Sequence, residues 1–332
     1  MFNLFKKKYT TGLLSKDPVD PRNYLLSELQ PIAVTLPDSF DLGSQMSPVE
    51  NQNGLGICYA MAGTGYQEFW NTKEYGSLID LSERFCVWGT KKISGMTGIQ
   101  ADFLINALKA ICQFGLALEQ DYPNDFSLSW EKFIEEPPAE IKQKALEFRG
   151  KTYWQVNNDL ESMKQAIFQN KCPLFVGMPW YESYNKPETD GKLPLPSGNK
   201  SGHAVLCIGW DNEKLWFKNS WGSNWGKEGY FYIPFADFPK YEIWDVRILL
   251  DLERPTQEMI GWVAENYLRF INQPPFKTGD LVSPIASLRL RTNPTIYAPI
   301  LKQFTGQETL EIVGDEKISA NNYIWRKVRV KI

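Results

Sequence analysis

The stretch Gln52-Asn53-Gly54-Leu55-Gly56-Ile57-Cys58-Tyr59-Ala60 constrains this chain more than any other. Gly54 and Gly56 allow a tight turn with exposed N–H groups. Directly after them, Tyr59, Ala62, Tyr66, Phe69 and Trp70 recur at helical spacing. Cys58 is therefore expected at a helix N-terminus, where the macrodipole and unpaired N–H groups favour thiolate over thiol. Gln52, six residues earlier, supplies an amide donor. That is the environment of a nucleophile.

A second stretch completes the set. Ser201-Gly202-His203-Ala204-Val205 is followed by Trp216-Phe217-Lys218-Asn219-Ser220-Trp221-Gly222-Ser223-Asn224-Trp225-Gly226, and His203 is the only histidine in the chain. Together the two stretches resemble the Cys segment and the His and Asn-Ser-Trp-Gly segments of papain-like cysteine peptidases, in the same chain order. The resemblance implies a catalytic set of Cys58 as nucleophile, His203 as base, Asn219 orienting the imidazole and Gln52 in the oxyanion hole. It implies Trp221 as a shield over the His–Asn bond and a wall of the substrate site. Gly98, in Ser94-Gly95-Met96-Thr97-Gly98, falls where the family's glycine-rich substrate edge is expected. The implied fold is α+β: a helical lobe carrying Cys58 faces a β lobe carrying His203 and Asn219.

Five cysteines scattered through 332 residues do not read as a disulfide framework. Leu55 occupies the position where secreted relatives carry a bridging Cys, so the four other cysteines read as small buried apolar groups. One histidine and dispersed cysteines offer no metal cluster, and no cofactor is expected. A net charge of −3 argues against nucleic acid as a partner, and no apolar run suggests a membrane span. The N-terminus lacks a secretory pattern, so the expected location is cytoplasmic or within a particle such as a virion.

Four segments are expected. Residues 1–35 form an extended leader punctuated by Asp17-Pro18-Val19-Asp20-Pro21-Arg22-Asn23-Tyr24, which braces the domain or, alternatively, lies across the cleft. Residues 36–252 form the peptidase domain. Residues 253–276 form a helical linker, because Met259, Trp262, Val263, Tyr267, Phe270 and Ile271 share one helical face. Residues 277–332 form a small all-β barrel: Leu288-Arg289-Leu290-Arg291-Thr292-Asn293-Pro294 resembles the signature of bacterial SH3-like domains, with Tyr297 and Tyr323 as candidate ligand contacts.

The function these features imply is a bacterial or phage-type cysteine endopeptidase acting on a polypeptide substrate. Its barrel would be directed to a cell-wall or protein ligand. The alternatives are a peptidoglycan peptide-cleaving hydrolase and a papain-like structural component of a phage-tail or secretion particle.

Overall fold

The computed structural model describes residues 9–20, 23–30 and 34–250, and beyond these the strand segments 259–264, 268–270, 281–284, 288–291, 300–304, 310–320 and 323–330. The chain divides into two compact units, Met1–Asp251 and Leu252–Ile332.

In the first unit the helices are α1 (Leu26–Leu29), α2 (Cys58–Tyr75), α3 (Glu83–Ser94), α4 (Leu104–Phe114), α5 (Trp130–Phe133), α6 (Ala139–Ala145) and α7 (Leu160–Asn170). The strands are β1 (Phe40–Asp41), β2 (Thr152–Val156), β3 (Leu174–Tyr181), β4 (Lys200–Asp211), β5 (Lys214–Lys218), β6 (Tyr230–Pro234) and β7 (Asp245–Leu250). Helix ends follow local chemistry. Ser82 Oγ accepts from Phe85 N at 3.1 Å to start α3, and Asp159 Oδ1 accepts from Ser162 N at 2.8 Å to start α7.

Helix α2 is buried on every side from Cys58 to Phe69, because α3 and α4 cover one flank and β3 and β4 the other. Side chains such as Tyr66 and Phe69 each contribute about 1.5–3 kcal/mol of burial there. Tyr66 also ties helix to sheet: its hydroxyl donates to Leu249 O at 2.9 Å and accepts from Leu249 N at 3.0 Å. The antiparallel sheet runs β2-β7-β3-β4-β5-β6, with β1 added on β4. In its middle, His203 on β4 lies opposite Met178 on β3.

The second unit holds a seven-stranded antiparallel sheet: β8 (Met259–Ala264), β9 (Leu268–Phe270), β10 (Leu281–Pro284), β11 (Leu288–Arg291), β12 (Ile300–Phe304), β13 (Leu310–Ala320) and β14 (Tyr323–Val330). This corrects the expectation of a helical linker over residues 253–276. Strand β8 pairs with β14 from Met259↔Val330 to Trp325↔Ala264 and meets β11 at Trp262. Partners on both edges, with Gly261 mid-segment and β-branched Ile260 and Val263, outweigh a helical spacing of apolar residues. The unit therefore begins near residue 252 rather than 277. Tyr297 and the side chain of Tyr323 lie outside the described residues.

The two lobes of the first unit meet over buried charge. Glu68 of α2, Glu83 of α3 and Lys218 at the end of β5 are each at least nine-tenths buried around a cavity of about 20 Å³. Lys218 Nζ donates to Ser47 Oγ at 2.8 Å, and Glu68 Oε1 accepts from Leu81 N at 3.0 Å. Burial pushes the Glu68 carboxyl up from 4.5 to about 7 and lifts Glu83 well above the carboxylate range. The folded state thus holds a proton that the unfolded chain releases near pH 4.5. The stability this contributes is present below pH 4.5 and is lost as pH rises to about 7. In a domain of this size each kcal/mol of such linkage corresponds to about 2–4 °C in Tm. Melting followed from pH 5 to pH 8 should show a fall of that order, and Glu68→Gln, which keeps the acceptor, should flatten it; an equally steep fall in the variant would show that the linkage lies elsewhere.

Candidate active site

Asn53 (φ 48°) and Gly54 (φ 82°) turn the chain back into α2, so Cys58 begins the helix as its first residue. Gly56 N donates to Gln100 Oε1 at 2.7 Å, and the Tyr59 hydroxyl donates to Gln100 O at 2.9 Å, which clamps the turn on both sides of the cysteine. From the β lobe, Ala204 N donates to Cys58 Sγ at 3.3 Å. The residue next to His203 therefore rests on the sulfur.

His203 Nε2 lies 2.8 Å from Asn219 Oδ1. An amide oxygen only accepts, so Nε2 carries the hydrogen and the lone pair of the neutral ring sits on Nδ1. Among the described residues Nδ1 has no hydrogen-bond partner. Ser220 N holds Asn219 Oδ1 from the other side at 2.8 Å. The imidazole is boxed by Trp180 and Trp221, with ring centroids 4.6 and 4.8 Å away. Gln52 is fixed to the same loop, because Gln52 N donates to Ser220 O at 3.1 Å and Ser220 Oγ donates to Gln52 Oε1 at 2.8 Å. That leaves the Gln52 amide N–H₂ facing the cleft, where it donates to Thr10 O at 2.9 Å and to Leu55 O.

A model of the papain family of cysteine proteases matches residues 36–243. The chain belongs to that family. It is 28% identical to mexicain of Jacaratia mexicana over 208 residues, covering 60% of this chain and 89% of mexicain. It is 29% identical to cysteine proteinase 3 of Entamoeba histolytica over 206 residues, and 24% identical to papain of Carica papaya over 236 residues. The matched regions span 62% and 64% of those two proteins and 59% and 69% of this chain. In fold it is similar to xylellain, a cysteine protease from Xylella fastidiosa, with a TM-score of 0.64 at 22% identity, covering 73% of this chain and 96% of that one.

Against this papain-family frame, Gln52, Cys58, His203, Asn219 and Trp221 come together in one place, while Gly98 does not join them. Gly98 is exposed, with open space where a side chain would be, because Gly95 ends α3 and the following turn carries it outward. The peptide-pairing edge is four residues on, at Asp102. There the backbone is held by a buried carboxylate paired with Lys91 at 2.9 Å and accepting from Ser94 Oγ at 2.7 Å. The motifs gave no signal for Asp102, Gln100 or Trp180, since each reaches the site from a distant segment. Ser220 stood inside the Asn-Ser-Trp-Gly run.

What pairs with that edge is the leader, which the sequence reading had favoured as a brace. Gly12 N donates to Cys58 Sγ at 3.2 Å. Leu13 N donates to Gly202 O at 3.0 Å, Asp102 N to Gly12 O at 3.0 Å and Leu14 N to Asp102 O at 3.1 Å. Trp221 Nε1 donates to Thr10 O at 3.0 Å, and the rings of Tyr9 and Trp221 lie tilted against each other with centroids 5.0 Å apart. The leader also braces, through Tyr24 O on Gln155 N and through Asp17, whose carboxylate pairs with Arg247 at 3.0 Å and accepts from Ile105 N at 3.1 Å.

Under this cover the Cys58 thiol is wholly buried, and desolvation pushes it up to about 12, outweighing the N–H groups aimed at the sulfur. Burial pulls His203 down to about 4. Both members of the pair are therefore neutral in the covered cleft. A Cβ on Gly12 would fall 2.1 Å from Gly56 O, a backbone atom that cannot give way. Iodoacetamide at pH 7 should label Cys58 slowly in the full chain and at least about tenfold faster in Gly12→Val. Equal rates in the two proteins, read by mass spectrometry of the Cys58 peptide, would show that the leader does not shield the thiol.

Proposed function

We propose that this chain is a cysteine endopeptidase held latent by its own leader. The observation that carries the reading is the joint placement of sulfur and imidazole. Ala204 N on Cys58 Sγ brings β4 to the helix start, and the His203–Asn219 bond leaves Nδ1 as the basic nitrogen.

Once the cleft is solvated, Nδ1 takes the thiol proton, and the thiolate attacks a substrate carbonyl carbon to form a C–S bond. The oxyanion that develops is met by Gln52 Nε2 and the N–H of Cys58. The imidazolium then donates its proton to the leaving amine as the C–N bond breaks. Water, deprotonated by the same imidazole, hydrolyses the thioester and frees the thiol. Asn219 keeps the ring in its tautomer, while Trp180 and Trp221 screen that bond from water.

Two features support endopeptidase action under latency. The leader runs through the cleft, from Tyr9 at Trp221 to Leu14 beyond Asp102, so a chain can extend to both sides of the thiol. The sulfur faces the N–H of Gly12 rather than a carbonyl carbon, and so the leader occupies the site without being positioned for attack. Gly12→Val should gain turnover on a quenched fluorescent protein substrate relative to the unaltered chain. Adding Cys58→Ala or His203→Ala should abolish that turnover, and adding Gln52→Ala should lower kcat by about 10²–10³-fold. Turnover that survives loss of Cys58 would end the proposal.

The second unit is proposed as an SH3-like docking module for a cell-wall peptide or a protein. Support comes from its separate antiparallel sheet, in which Leu288-Arg289-Leu290-Arg291 forms β11 and the closing run forms β14. Co-sedimentation of the Gly12→Val full chain with purified cell wall, lost in Gly12→Val ending at Asp251 with equal peptidase turnover, is the expected result. Retained sedimentation of the shortened chain would assign any binding to the peptidase unit.

A further inference from the structure

Residues 100–102 form a backbone edge that belongs to no sheet of the first unit. Among the described residues, its backbone-to-backbone hydrogen bonds run only to the leader, at Gly12 and Leu14. An edge without a strand behind it has to be held by side chains, because its inward carbonyls still need donors. Gln100 O accepts from the Tyr59 hydroxyl at 2.9 Å, and Ala101 O accepts from Lys91 Nζ at 2.8 Å. The Asp102 carboxylate is gripped from two helices. Its Oδ2 accepts from Lys91 Nζ at 2.9 Å and Ser94 Oγ at 2.7 Å, both of α3. Its Oδ1 accepts from Phe103 N at 2.9 Å and Asn106 Nδ2 at 2.8 Å, at the start of α4. The Lys91 and Asp102 side chains are 2% and 0% exposed, so neither reaches the open cleft.

The same groups are tied to the nucleophile. Lys91 Nζ lies 5.4 Å from the ring centroid of Tyr59, the residue after Cys58, and Gln100 Oε1 accepts from Gly56 N two residues before it. A buried ion pair is costly to assemble, and two apolar side chains of similar volume would join α3 to α4 as well. What apolar side chains cannot do is orient the Ala101 carbonyl and the residue 102 backbone while leaving the N–H and C=O of residue 102 free for an incoming chain.

Resting on the latent-endopeptidase reading, we propose that Lys91, acting through Ala101 and Asp102, is a positioning residue that sets where a substrate backbone lies relative to the Cys58 sulfur. It touches neither the substrate nor the reacting atoms. The leader reports on the same device, because Leu14 N donates to Asp102 O at 3.1 Å while its neighbour Leu13 N is held by Gly202 O of the opposite wall at 3.0 Å.

Two experiments on the full chain test this, both with Lys91→Met/Asp102→Asn. That double variant leaves no lone buried charge, and the new amide oxygen can still accept from Phe103 N and Asn106, so only the tie to α3 is lost. In the first experiment the pair is added to Gly12→Val. KM for a quenched fluorescent peptide that extends to both sides of the cut should rise at least about tenfold with kcat within about twofold, since backbone pairing is lost from ground and transition state alike. Hydrolysis of p-nitrophenyl acetate, whose acyl group is too short to reach the edge, should be unchanged. Ser94→Ala, which removes one donor and no charge, should raise the peptide KM by about threefold and carries the test where the double variant fails to fold. An equal loss for both substrates, or none for either, overturns the proposal, whereas a Gly12→Val parent without peptide turnover counts against the peptidase reading instead. The second experiment needs no turnover. In the otherwise unaltered chain, amide hydrogen exchange read by NMR should speed at Leu14 at least about fivefold more than at Leu13, for the double variant or for Ser94→Ala. Equal acceleration at both amides shows that the pair only stabilises the fold, and no acceleration shows that it does not hold the edge; either result overturns the proposal.

Discussion

The sulfur of Cys58 sits where three separately folded pieces of chain meet: the first turn of α2, the strand carrying His203, and a leader more than forty residues upstream. It accepts from the backbone N–H groups of Gly12 and Ala204. That arrangement requires α2 to be buried throughout its first three turns, because a helix free to shift would take the sulfur away from Ala204. The tight packing of α2 between α3, α4 and the sheet is therefore a condition of the chemistry as much as of stability. The Tyr66–Leu249 pair of hydrogen bonds serves the same end by fixing the helix against β7 of the sheet.

Burial has opposite consequences at the two charged centres. Around Glu68, Glu83 and Lys218 it is permanent, and the protein meets the desolvation of three ionisable groups by raising the carboxyl pKa values, by coulombic attraction between Lys218 and the glutamates, and by the Lys218–Ser47 hydrogen bond. At Cys58 and His203 part of the cover is the leader, so under the proposed latency their burial is conditional. A thiol and an imidazole sealed from water stay neutral, and the same two groups in a solvated cleft can exchange a proton. Latency here is thus a matter of dielectric as well as of steric block. The buried Asp17–Arg247 pair supplies a strong anchor for a leader whose other contacts are mostly backbone hydrogen bonds.

That Gln52, Cys58, His203 and Asn219 meet in one place was legible because the parts of the candidate site depend on local chemistry. A glycine turn before a helix, a cysteine at that helix start and an Asn-Ser-Trp-Gly loop carry their geometry in short runs of residues. The α+β division was legible for a similar reason, since it follows from the resemblance carried by the Cys segment and the His and Asn-Ser-Trp-Gly segments. Where local pattern and pairing partners disagreed, the pattern lost. The apolar spacing of Met259, Trp262 and Val263 suits a helix, yet β14 and β11 offer hydrogen bonds on both sides, and the segment became a central strand.

By itself, then, the sequence determined which residues are brought to the candidate site, Cys58, His203 and Asn219, since each is set by neighbours a few positions away. Only the tertiary structure decided that Asp102 rather than Gly98 offers the peptide edge, that Trp180 completes the box around His203, and that Gly12 lies on the sulfur. Each of these is a contact between segments remote in the chain. Such contacts follow from how whole elements pack and from which glycines let two backbones approach, and no short window of residues encodes either.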